Sequence, residues 1–115
     1  MRPPDWDRFE VLVGEALRLL PPELADAIDN VAVVLADRHR DEPDLLGLYE
    51  GIPLTERDEY GGLAMPDQVT IYRLPLAEMC HDDAELVAEV RVTVIHELAH
   101  HFGIDDERLH ELGWE

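Results

Sequence analysis

Basic side chains are scarce in this sequence: nine arginines and no lysine stand against 27 acidic residues, which gives a formal net charge of -18. A field of that sign repels phosphate backbones and anionic membrane surfaces, so we expect no nucleic-acid partner and no membrane partner. It attracts cations and basic peptides, although only within roughly 8 Å at physiological salt.

Cysteine and long apolar runs are also nearly absent. Cys80 is the only cysteine, which excludes an internal disulfide and favours a packed structural thiol over a nucleophile. No segment has the length of a signal-peptide core or of a membrane span, so we expect a cytoplasmic protein. The 115 residues fit a single domain over residues 1–115.

The patterning of apolar residues predicts an α+β fold. Helical spacing and cap residues predict helices over residues 5–20, 23–28, 74–80, 84–102 and from 105 or 106 to 112. Strands are predicted over residues 30–37, 45–50 and 68–73. The first strand is continuously apolar, which favours burial on both faces, whereas the third alternates. The predicted architecture is a mixed sheet of about three to four strands against two long helices.

The chemistry is concentrated in the sequence HELAH, residues 96–100. Residues four apart on a helix project from one face, so His96 and His100 can share a zinc ion at about 2.0–2.1 Å each. Glu97 lies about 100° further round the helix, where it can take a proton from metal-bound water. Two solvated histidines on a polar helix face are the alternative interpretation.

A catalytic zinc needs a third protein ligand. Gly103 can end the helix with a sharp turn, and a side chain three residues later can then swing back over the histidines. Asp106 occupies that position, which makes it the preferred third ligand. His110 is the main rival; Glu107 and Glu111 remain possible.

The resulting sequence, HELAHHFGIDD, resembles the metzincin motif HExxHxxGxxH with aspartate in place of the third histidine. The stretches GLYEGIPLTER, PDQVTIYR and EVRVTVIHELAHHFGIDDERLHELGW more closely resemble a family of small bacterial zincin-like metallopeptidases, the minimal zincins. That resemblance covers roughly residues 45–115. It implies a minimal zincin-like fold, Zn²⁺ held by His96, His100 and Asp106, Glu97 as the general base, and a peptide or protein substrate.

One departure separates the sequence from true metzincins, because no methionine follows Asp106 to form their methionine turn. Leu109, Leu112 or Trp114 is the expected apolar floor instead. Tyr49, Tyr60 and Tyr72 are candidates for an oxyanion-stabilising hydroxyl, and Arg57 for a substrate contact.

The substrate is expected to lie along either the second or the third predicted strand. We therefore expect a zinc-dependent metallopeptidase. The alternative is a zinc-binding or interaction module of the same fold without useful turnover.

Overall fold

The computed structural model describes residues 1–51 and 67–114. In chain order the described helices and strands are α1 Trp6–Leu17, α2 Pro22–Ile28, β1 Val31–Ala36, β2 Gly47–Glu50, β3 Asp67–Tyr72, α3 Arg73–Met79, α4 Asp83–His101 and α5 Asp106–Leu112. This mixed α and β composition confirms the predicted fold class. Arg57 and Tyr60, two of the predicted site candidates, lie outside the described residues.

The long helices begin at aspartate caps. Asp5 accepts a hydrogen bond from the backbone amide of Arg8 at 2.8 Å, and Asp82 accepts one from Glu85 at 2.8 Å. Each cap satisfies an amide that the first turn of a helix leaves without an acceptor. The structure thus selects Asp82 over Asp83 as the cap of α4. Helix α1 ends at Leu17, before its predicted end at residue 20.

The sheet has the order β1-β3-β2, with β1 parallel and β2 antiparallel to β3. The prediction that the first strand is buried on both faces is wrong, since β1 lies beside a single described strand and its Val34 is 37% exposed. The central strand is β3, where even Thr70 and Tyr72 are buried. A continuous apolar run shows that a strand is hydrophobic, but whether the strand is central or at the edge of the sheet depends on pairing between distant segments.

Helices α1 and α4 enclose the main core against this sheet. Buried residues of both helices recur at helical spacing and pack together. The cluster comprises Phe9, Leu12, Val13, Ala16, Leu20, Leu24, Ile71, Leu76, Cys80, Leu86, Val90, Val94, Ile95, Leu98, Ala99 and Leu109. No helix in the described part of the chain is long and apolar enough to cross a membrane.

Candidate metal centre

The C-terminal half of α4 presents two polar rows of side chains beside its buried apolar side. His96 and His100 form one row, at a spacing of four residues. Thr93, Glu97 and His101 form a second row at the same spacing, and contacts of all three with β2 or the residue after it place this row against that strand. The helix therefore holds the two histidines and the glutamate on neighbouring stripes of one surface.

Helix α4 ends in a Schellman motif built on Gly103. The glycine has φ +78°, and its amide donates to the carbonyl of His100 at 3.1 Å. The amide of Ile104 donates to the carbonyl of Ala99 at 2.8 Å, which completes the motif. A left-handed residue at this point reverses the chain, as the sequence predicts, and brings the next segment back towards the end of α4.

The reversed chain enters α5, whose first residue is Asp106. Asp105 caps this helix by accepting a hydrogen bond from the amide of Arg108 at 2.9 Å. The Asp106 carboxylate turns back, and its Oδ1 lies 3.1 Å from Nε2 of His100. Leu109 is fully buried in the main core and Trp114 packs against that core, which anchors the helix.

The side chains of this centre suit zinc in their chemistry and in their pairwise spacing. The ring centres of His96 and His100 are 5.9 Å apart, with the planes tilted by 32°. Two imidazoles that bind one tetrahedral zinc have ring centres roughly 5 Å apart, so the observed separation is within about 1 Å of that of a shared ligand pair. Within residues 1–51 and 67–114, no three histidine, cysteine, aspartate or glutamate side chains already converge as a metal-binding group.

The general-base candidate, Glu97, is fixed to the sheet. Its Oε1 accepts a hydrogen bond from the backbone amide of Tyr49 in β2 at 3.2 Å. A shallow surface pocket of about 290 Å³ lies beside it, lined by Asp44, Leu45, Leu46, Gly47, Thr93, His96 and Glu97. The carboxylate and one histidine thus lie on the wall of the same pocket.

Close approach of α4 to β2 depends on Gly47. A Cβ atom at this position would lie 2.6 Å from Cγ2 of Thr93 and 3.2 Å from the carbonyl oxygen of Thr70. Thr93 is β-branched and buried, so it has little freedom to move away. The sequence interpretation did not single out Gly47 or Thr93, although the four-residue spacing of Thr93, Glu97 and His101 was available as a signal.

The remaining predicted candidates have other surroundings. The Tyr49 hydroxyl donates to Oδ2 of Asp67 at 2.8 Å, which engages it in a contact within the protein. Tyr72 is 6% exposed, and burial raises the pKa of its hydroxyl. Cys80 is 2% exposed, and burial raises the pKa of its thiol. It is therefore a packed thiol, as predicted, since a nucleophilic cysteine needs access and a stable thiolate.

An α+β architecture with the HELAH segment on a long helix beside a small mixed sheet is that of a zincin-like protein. A model of the zincin-like metallopeptidase family matches residues 28–114, and the chain therefore belongs to that family. This confirms the resemblance seen in the sequence, and the family consists in general of peptidases that use zinc.

The fold is also similar to a solved structure, a conserved hypothetical protein from Thermus thermophilus. The two are 23% identical, with a TM-score of 0.54 over 85% of this chain and 94% of the other. At that identity the likeness concerns the fold alone. No curated protein sequence matches the chain.

Proposed function

We propose that this protein is a zinc-dependent peptidase in which His96, His100 and Asp106 hold the metal and Glu97 is the general base. The observation that supports this most directly is the position of Glu97. It is adjacent to His96 on α4, it lies on the wall of the surface pocket, and it is held there by the Tyr49 amide. A purely structural zinc site has no need of such a carboxylate.

The proposed chemistry follows from the family's metal and from the residues of this chain. Zinc at such a site supplies Lewis acidity, which makes water easier to deprotonate and a peptide carbonyl easier to attack. Glu97 accepts the proton of the attacking water and hands it to the leaving amine. The described contacts engage Oε1 with Tyr49, so we assign the proton transfer to Oε2.

Strand β2 is the part of the sheet that we assign to substrate binding. β3 is flanked by β1 on one side and β2 on the other, so it has no edge to offer, and the third strand is excluded as the binding strand. β2 borders both the pocket and α4, so we expect an extended peptide to lie along this strand. The net charge of -18 favours basic peptides. A cytoplasmic location stays a prediction from the composition.

The decisive experiment compares Glu97→Gln with wild type after zinc loading. A peptide library read by mass spectrometry measures cleavage, and elemental analysis measures zinc. We expect Glu97→Gln to lose about 100-fold or more in kcat/KM, because general-base catalysis contributes roughly that much, while keeping equimolar zinc. Glu89→Gln, two turns earlier on the same helix, is the matched control and should cleave as wild type does.

Two outcomes would contradict the proposal in different ways. Cleavage by Glu97→Gln at the wild-type rate would remove Glu97 from the mechanism. Equimolar zinc without cleavage by any variant, wild type included, would favour the non-catalytic zinc-binding module instead.

A further inference from the structure

Tyr49 is the point at which three elements of the fold meet. Its backbone amide donates to Glu97 of α4, and its hydroxyl donates to Asp67 at the start of β3 at 2.8 Å. The imidazole of His101 stacks on its ring, with the centres 4.0 Å apart and the planes 24° apart. Nε2 of His101 is 3.7 Å from Oδ2 of Asp67, so the imidazole and the carboxylate also approach each other.

The arrangement is possible because α4 and β2 have matching repeats. Four residues of helix rise about 6 Å, and two residues of strand advance about 6.7 Å. Thr93 therefore meets Gly47, Glu97 meets Tyr49, and His101 lies 3.6 Å from where a Cβ of Gly51 would be. One helix row and one strand row run side by side in register, with Tyr49 in the middle.

Asp67 reaches Tyr49 through the geometry of the sheet. Tyr49 is paired with Val69, so Asp67 is the diagonal neighbour two residues away on the same face of the antiparallel pair. The side chain of Asp67 is 21% exposed and that of His101 is 36% exposed. Both contacts are therefore partly shielded from water, which strengthens the hydrogen bond relative to one on an open surface.

We propose that His101 and Asp67 are positioning residues, which hold Tyr49 so that its amide fixes the Glu97 carboxylate for proton transfer. The aromatic stack restrains one face of the Tyr49 ring, and the hydrogen bond to Asp67 restrains its hydroxyl end. A restrained amide gives Glu97 one orientation, whereas a mobile β2 would let it sample several. This inference rests on the proposed function, because the orientation of Glu97 matters only if Glu97 moves a proton.

The first test needs no activity. Hydrogen exchange at the Tyr49 amide, followed by NMR, reports directly on its bond to Glu97. We expect Glu97→Ala and His101→Ala each to accelerate this exchange by roughly tenfold, because both loosen the same contact. His101→Phe keeps a ring to stack on Tyr49 and should restore protection, while His81→Ala, an exposed histidine just before α4, should change nothing.

The second test separates positioning from stability. We expect His101→Ala to lower kcat by about tenfold with KM within about twofold and the melting temperature unchanged, because misplacing a reacting group by a fraction of an ångström is costly. His101→Phe should recover the lost kcat. Tyr49→Phe, which removes the hydroxyl donor and keeps the stack, should fall between them and gives a second route if His101→Ala does not fold.

The outcomes distinguish this inference from the function on which it rests. Unchanged exchange at Tyr49 in His101→Ala would overturn the positioning role whatever the activity. A loss of kcat that tracks a lower melting temperature, without recovery in His101→Phe, would also overturn it. An inactive wild type whose Tyr49 amide follows the expected pattern would overturn the peptidase proposal and leave the restraint of Tyr49 standing.

Discussion

The two strands that flank β3 differ in composition and in the contacts that they make. β1 is six residues long and wholly apolar, and Val31, Val33 and Leu35 pack against the main core. β2 is four residues long, and its contacts with α4 include a glycine without a side chain, a backbone amide and an aromatic stack. One flank of the sheet is held by apolar packing, and the other borders the carboxylate that we propose as the general base.

This difference matters because apolar packing and a proton-transfer site place opposite demands on a strand. Packing against a core needs apolar side chains, as β1 has. A carboxylate that must exchange protons with water needs an open wall and a fixed geometry. β2 meets the second demand with Gly47, which lets α4 come close, and with Tyr49, whose amide fixes the carboxylate.

The largest expected effect belongs to Asp106, the first residue of α5, which lies beside His100. We expect Asp106→Ala to lower zinc affinity more than about 100-fold, since even residues that only hydrogen-bond to metal ligands are worth about 10–100-fold. A chelator-competition titration measures this. Asp105→Ala is the matched control, because it removes the cap of α5 at a cost of about 1 kcal/mol in the free energy of unfolding but no proposed ligand.

An unchanged zinc affinity in Asp106→Ala would transfer the third-ligand role to His110 or to one of its acidic neighbours. It would also reduce the 3.1 Å contact between Asp106 and His100 to an ordinary surface interaction.

A smaller effect is expected at Gly47, because β2 can approach α4 closely only with a residue that has no side chain at this position. We expect Gly47→Ala to lower the free energy of unfolding by about 2 kcal/mol, because the new Cβ would lie 2.6 Å from Thr93 and β2 must move away from α4. Chemical denaturation gives the stability. Activity per folded molecule should fall as well, because the same displacement stretches the bond between Tyr49 and Glu97.

Gly14→Ala in α1 is the matched glycine control. A Cβ there has its nearest neighbour, a terminal nitrogen of Arg18, at 3.8 Å, so there is room for it. Alanine in a helix is about 0.5–1 kcal/mol more favourable than glycine, and this variant should be slightly stabilised. Equal stability changes in the two glycine variants would remove the argument for a close helix–strand approach at Gly47.

The sequence predicts those features of the molecule that are determined by residues close together in the chain. Cap residues and apolar spacing give α1 and α4, and Gly103 gives the reversal that brings Asp106 to His100. These features depend on residues within a few positions of one another. Helical spacing alone also places His96 and His100 on one face.

The features that escaped prediction are set by contacts between distant segments. Tyr49 is 48 residues from Glu97 and 18 residues from Asp67, and no pattern within β2 indicates either contact. The same reason explains the error over β1. Its continuous apolar run predicts burial on both faces, but pairing order, and not composition, decides which strand is central.

The smallest expected effect is that of a substitution at Leu35 in β1, which tests whether this flank influences the proposed site. Leu35→Ala removes a partly buried side chain that packs on the core, so it should cost about 1 kcal/mol, below the roughly 2–5 kcal/mol typical of fully buried leucines. Because β1 contributes no group to the proposed site, zinc affinity and kcat/KM per folded molecule should equal those of wild type. Denaturation and kinetics on the same preparation measure both. The fraction of unfolded protein accounts for part of any loss of kcat/KM. A larger loss would show that a change in packing at β1 alters Glu97 through β3, and the two flanks would then act as one unit.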